Sequence, residues 1–109
     1  MMQTMIAPRT TVIRPNGHFN AANAADFQQY LTAEVTQAVH DHVVVDLEQV
    51  ESMDSAGLMA LVHGLRVAQS LGKSFNLCSV APSIRIIFEL TQLDSVFEIL
   101  DTPVEVAAA

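Results

Sequence analysis

The chain has 109 residues, half of them apolar, and a formal net charge of −7 from five Lys and Arg against twelve Asp and Glu. That length and composition describe one folded domain, spanning 1–109, and not a disordered chain. The acidic balance argues against binding a nucleic-acid backbone or an anionic membrane surface, and no apolar run approaches the roughly 20 residues of a membrane span.

Residues 2–7 and 10–15 read as two short strands about Pro8-Arg9, arranged as a hairpin. The second stops at Pro15-Asn16-Gly17, a strong turn signal, because Pro15 has no N–H to give to a ladder. Asn20 is an N-cap candidate for a first helix from about Ala21 to Val39. Ala24, Phe27, Leu31, Val35 and Ala38 make its apolar stripe.

His40-Asp41-His42 lead into Val43-Val44-Val45 and Leu47, the most strand-like run in the chain. A short, continuous, β-branched run is expected of a strand covered on both faces. The acidic stretch after it reads as a turn.

A second helix is expected from about Ser55 to Leu71, with Gly72 as its C′ residue. Leu58, Leu61, Val62, Leu65 and Ala68 form the inward stripe. At 100° per residue, Met59, Ala60, His63 and Val67 fall on the other side, more apolar than solvation requires. SFNLCSV reads as a further strand, with Cys78 a small buried hydrophobe that has no second cysteine to pair with. Pro82 suits the first position of a third helix, Ser83 to about Leu93. This helix is apolar on both sides, with Ile84, Ile87 and Phe88 on one and Ile86, Leu90 and Leu93 on the other. Val96 to Leu100 reads as a last strand, and 101–109 as a frayed tail. The order β-β-α-β-α-β-α-β defines an α/β domain, a mixed and mostly parallel sheet of four to five strands with helices packed on it.

The chemistry concentrates at Asp54-Ser55-Ala56-Gly57. A hydroxyl among small residues at a helix start is reachable, and free N–H groups with the positive dipole end favour an anion there. The plain alternative is that Asp54-Ser55 only caps the helix. Gly72-Lys73-Ser74 ends like a phosphate-binding loop, but the earlier glycine position is Val67 and Gly72 closes a helix instead of opening one. His40-x-His42 lacks a third ligand at zinc spacing, so His18, His40, His42 and His63 read as solvated, with no metal or cofactor expected. Ser55 lacks the G-x-S-x-G elbow and a placed base, so no enzyme is expected. With no basic, apolar leader at the N-terminus, the expectation is a cytoplasmic protein.

VVVDL followed by EQVESMDSAGLMAL is similar to the signature of STAS-domain proteins, the sulfate-transporter and anti-sigma-factor-antagonist family. Gly17-His18-Phe19-Asn20 resembles the family's G-x-L-D turn, with Asn20 in place of the carboxylate. SVAPSIRIIFELTQLDSVFEI resembles its late strand–helix–strand segment. Met59 stands where members often carry a small residue, and a final helix of some members is expected to be missing.

The resemblance implies an antagonist whose unphosphorylated form binds an anti-sigma factor that is also a serine kinase. That kinase would phosphorylate Ser55 and so release itself, and a phosphatase would restore the serine. Asp54, Ser55, Met59, Ala60, His63, Val67 and Asn20 are then the expected partner-binding residues, on a monomer. The alternative is a STAS-like accessory subunit of a membrane transport system, with Ser55 only a helix cap.

Overall fold

A computed structural model describes residues 10–100. The elements in order are β1 (Thr10–Ile13), β2 (Gly17–Phe19), α1 (Ala24–Gln37), β3 (His42–Asp46), β4 (Val50–Met53), α2 (Ser55–Ser70), β5 (Ser74–Cys78), α3 (Pro82–Leu90) and β6 (Glu98–Leu100). A single 3-10 turn, Leu93–Ser95, joins α3 to β6. The main sheet has the order β1-β3-β5-β6 with every pair parallel, and β2 and β4 form a separate parallel pair. This is the expected α/β sheet with helices.

The inner strand β3 carries three β-branched residues in a row, and all three are buried. Val43 and Val45 are fully covered on one face of the sheet, and Val44 is 5% exposed on the other. Parallel pairing requires crossovers, and α1, α2 and α3 supply them. At Gly64 the second helix lies between its neighbours. A side-chain carbon there would sit 3.3 Å from the Phe75 ring of β5 and 3.7 Å from Leu31 of α1. Phe97 closes the far end of the core, its ring 5.6 Å from Phe88 of α3 and 6.3 Å from Phe75.

The hairpin expected at the N-terminus has its first arm, 2–7, outside the described residues, as is the 101–109 tail. Its second arm, β1, pairs parallel with β3. The stretch read as an acidic turn contains β4, and Gly17–Phe19, read as a turn, is β2. Their pairing is broken by a shift between Gly17 and His18, so that Gly17 faces Val50 but His18 faces Ser52. Strand β4 is buried only at its ends, Val50 and Met53, with Glu51 and Ser52 exposed between them. A two-residue exposed middle has no period-2 alternation, and that hides the strand.

The first helix begins at Ala24, later than expected, with Asn23 at the N-cap. Asn20 serves the preceding turn instead: its Oδ1 accepts from Ala22 N at 2.9 Å. Of the expected stripe, Phe27, Leu31 and Val35 are buried. The third helix ends at Leu90, with Ile84 and Phe88 buried and Ile86 and Leu90 exposed. Cys78 is buried, as its apolar run implies. No helix among the described residues is long and apolar enough to cross a membrane.

Candidate functional site

The start of α2 is built by the strand pair β2–β4. Asp54 N donates to Phe19 O at 3.0 Å, which continues the ladder one residue past β4 and fixes where the helix begins. Asp54 has extended backbone, φ −105° and ψ −171°, as an N-cap requires. Its Oδ1 accepts from Ala56 N at 2.9 Å and from Gly57 N at 3.2 Å. Its own carbonyl accepts the first helical bond, from Leu58 N at 3.0 Å.

Gly57 is required by close approach. A side-chain carbon at that position would lie 2.9 Å from Met53 Cγ, and 3.0 Å from both Phe19 Cβ and Phe19 O. The helix start therefore presses on β2 and β4, and only a glycine fits the contact.

With Asp54 as cap, Ser55 is the first residue of the helix and not the capping group. It is exposed, and its hydroxyl makes no hydrogen bond to any described residue. Free N–H groups were expected to stabilise an anion at this point. Asp54 already takes the Ala56 and Gly57 donors, which leaves fewer of them for an anion.

Ser55, Met59 and His63 recur every fourth residue, so they share one side of α2. All three are exposed, Met59 by 53%. Beyond Met59 the side continues into a groove of about 450 Å³ between α1 and α2, lined by His63 together with Gln29, Thr32 and Thr36. Asn20 lies next to Phe19 in the turn that holds the helix start, and is exposed. Asp54, Ser55, Met59, His63 and Asn20 thus occupy surface positions around one end and one side of α2.

Ala60 and Val67 do not. Ala60 is 2% exposed and belongs to the core, and Val67 is partly buried against it. Ala60 falls in a row of small residues, Gly57, Ala60, Gly64 and Ala68, spaced by three or four and all buried. That row is where the helix approaches its neighbours closely. Its spacing is visible in the sequence, and a single inward stripe of large residues is too narrow a reading of a helix covered on two sides.

Three of the four histidines are engaged locally. His18 Nδ1 lies 2.6 Å from Ser52 Oγ across the β2–β4 pair, His40 Nδ1 lies 3.1 Å from Thr11 Oγ1, and His42 Nδ1 lies 2.7 Å from Ser74 Oγ. Lys73, in the sequence that mimics a phosphate loop, donates from Nζ to Val35 O at 2.9 Å and to Ala38 O at 2.6 Å. It serves the C-terminal end of α1.

A parallel sheet with crossover helices, and an exposed serine beside the capping carboxylate at the start of α2, define this α/β module. The model of the STAS domain matches residues 1–106, and the chain belongs to that family. A relative in Thermotoga neapolitana, named "Putative anti-sigma factor antagonist TM1081 homolog", is 28% identical over 102 residues, covering 94% of this chain and 90% of the relative. The crystal structure of a Thermotoga maritima protein described as a "putative anti-sigma factor antagonist" superposes with a TM-score of 0.76 at 30% identity, over 90% of this chain and 84% of that one. The anti-sigma factor antagonist SpoIIAA in its unphosphorylated form has the same fold, with a TM-score of 0.63 at 18% identity over 92% of this chain and 86% of that one.

Proposed function

We propose that this protein is a phosphorylation-switched anti-sigma factor antagonist. Its unphosphorylated form binds a serine-kinase anti-sigma factor, and phosphorylation at Ser55 releases that partner. A phosphatase resets the serine. The protein is not itself a catalyst and works as a cytoplasmic monomer. The observation that carries this reading is the Ser55 hydroxyl, exposed and uncommitted at the first position of a helix that Asp54 caps. The names of the Thermotoga relatives support the anti-sigma factor antagonist part of this reading.

The physics of the switch follows from the cap. A phosphate adds about 1.5 to 2 negative charges at neutral pH. Two of the helix-start donors are already given to Asp54, so the added charge gains little from its own domain and acts on whatever covers Ser55. Burying it in an interface costs desolvation and repulsion. A penalty of about 3 kcal/mol lowers affinity roughly a hundredfold. The switch therefore operates through binding, with the fold unchanged.

Asp54, Ser55, Met59, His63 and Asn20 form the partner face in this reading. Met59→Asp is expected to weaken partner binding at least tenfold while the thermal midpoint stays close to wild type; a large drop in that midpoint would place Met59 in the core. Phosphosite mapping tests the modification itself. Protein incubated with native lysate and ATP, then digested and sequenced by mass spectrometry, should carry phosphate on Ser55. Phosphate found only on other residues would refute the assignment.

A further inference from the structure

A second concavity lies beside the helix start, between the turn after β1 and the first half of α1. It holds about 400 Å³ and is walled by Arg14, Pro15, Phe19, Asp26, Phe27 and Tyr30 among others. Its floor is apolar. Phe19 and Phe27 stack with ring centroids 3.9 Å apart and planes 28° from parallel, and Pro15 is buried. The volume lies in the roughly 300–1,000 Å³ range of small-molecule clefts, which are apolar with a few placed polar groups.

The placed group is Arg14. Its Nε donates to Asp46 Oδ2 at 3.3 Å, and Asp46 is 3% exposed against 51% for Arg14. The carboxylate is itself anchored, since its Oδ1 accepts from Glu48 N at 3.0 Å. One edge of the guanidinium is therefore held from below, while its terminal nitrogens have no hydrogen-bond partner among the described residues. A guanidinium fixed in this way is preset to take a carboxylate on two parallel N–H donors. Tyr30 at the rim is 43% exposed. Its phenol is raised above the ordinary 10.0 by burial and then by Glu34, so it stays a donor at neutral pH.

Charge selects the ligand further. Arg14 is the one cation among these six walls, Asp26 is the one anion, and the whole chain carries −7. Asp46 already shares that cation from below, so the free edge of the guanidinium takes at most one negative charge and not a polyphosphate. We propose that this cleft binds a small aromatic carboxylate, with its ring on Pro15, Phe19 and Tyr30 and its carboxylate on the terminal nitrogens of Arg14.

Such a ligand bears on the switch through Phe19. The Phe19 carbonyl holds Asp54 N, and its Cβ bounds the space at Gly57. Seating a ring on Phe19 shifts the surroundings of Asp54, next to Ser55. This consequence deepens the Ser55 reading and rests on it for its biological meaning; the binding itself does not.

An amide-resolved NMR titration of the full chain, with no kinase or partner present, keeps the two apart. The probes are phenylacetate, neutral phenylacetamide, acetate and ATP. Phenylacetate should give saturable shifts at Phe19, Phe27 and Tyr30 that extend to Asp54 and Ser55. Phenylacetamide, acetate and ATP should each bind at least tenfold more weakly. Arg14→Gln should weaken phenylacetate at least tenfold, and Tyr30→Ala should also weaken it while leaving the Arg14–Asp46 pair in place. The site is refuted by the absence of saturable shifts, by equal binding of phenylacetamide or ATP, or by indifference to both substitutions. Binding that leaves Asp54 and Ser55 unmoved would refute the link to the switch. None of these results alters the case for Ser55 as the phosphate acceptor.

Discussion

A serine at the start of a helix can be left free for modification only when another residue makes the cap. Asp54 does so here, through two hydrogen bonds from its Oδ1. Asp54→Ala should cost about 1 kcal/mol, the usual value of a lost N-cap. Urea titration would read it as a lower midpoint with an unchanged slope, whereas an unchanged midpoint would mean that the cap bonds contribute nothing net. Gly57→Ala is a separate case. Alanine favours a helix by up to about 1 kcal/mol over glycine. Against that, a carbon 3.0 Å from Phe19 O and Phe19 Cβ and 2.9 Å from Met53 Cγ forces the helix off the β2–β4 pair. Overpacking of this kind costs about 1–3 kcal/mol, so a net loss of about 1 kcal/mol is expected in the same titration, and a gain would show that the contact relaxes freely.

At the level of elements, the ends of helices are held by distant residues as well as by near ones. The last turn of α1 carries no basic residue of its own. Lys73 supplies the charge from the start of β5, donating to Val35 O and Ala38 O. Hydrogen bonds to a charged group and a cation at a helix C-terminus both stabilise. Lys73→Met is expected to lower stability by about 1–2 kcal/mol, with the earliest loss of amide protection at the end of α1. Uniform protection at wild-type levels would contradict this role. The example also marks a limit of reading in one dimension. Lys73 stands out in the sequence only as part of a false phosphate loop, because its partners lie 35 and 38 residues away. Strand β3 and helix α2 are legible because periodicity and burial coincide in them. Strands β2 and β4 are not, because a three-residue strand with a register shift carries no repeating pattern. Ser55 was legible as chemistry but its freedom was not, since that depends on which neighbour makes the cap.

Across the whole molecule, charge is distributed so that one modification stands out. The chain has twelve acidic residues, yet α2 contains no Asp or Glu between Ser55 and Ser70. The side shared by Ser55, Met59 and His63 therefore has no carboxylate apart from Asp54 at its edge, and the exposed Arg66 gives it a cation. A phosphate on Ser55 changes that surface more than it would on an already acidic one, while the core beneath it is untouched.

The most direct measurement uses Ser55→Ala and Ser55→Asp as paired baits in native lysate, with captured proteins identified by mass spectrometry and wild-type protein with ATP run beside them. The alanine bait should retain an ATP-binding serine kinase that the aspartate bait and the ATP-treated wild type both release. Equal capture of that kinase by both baits, or capture of the same transporter component by both, would contradict a switch at Ser55.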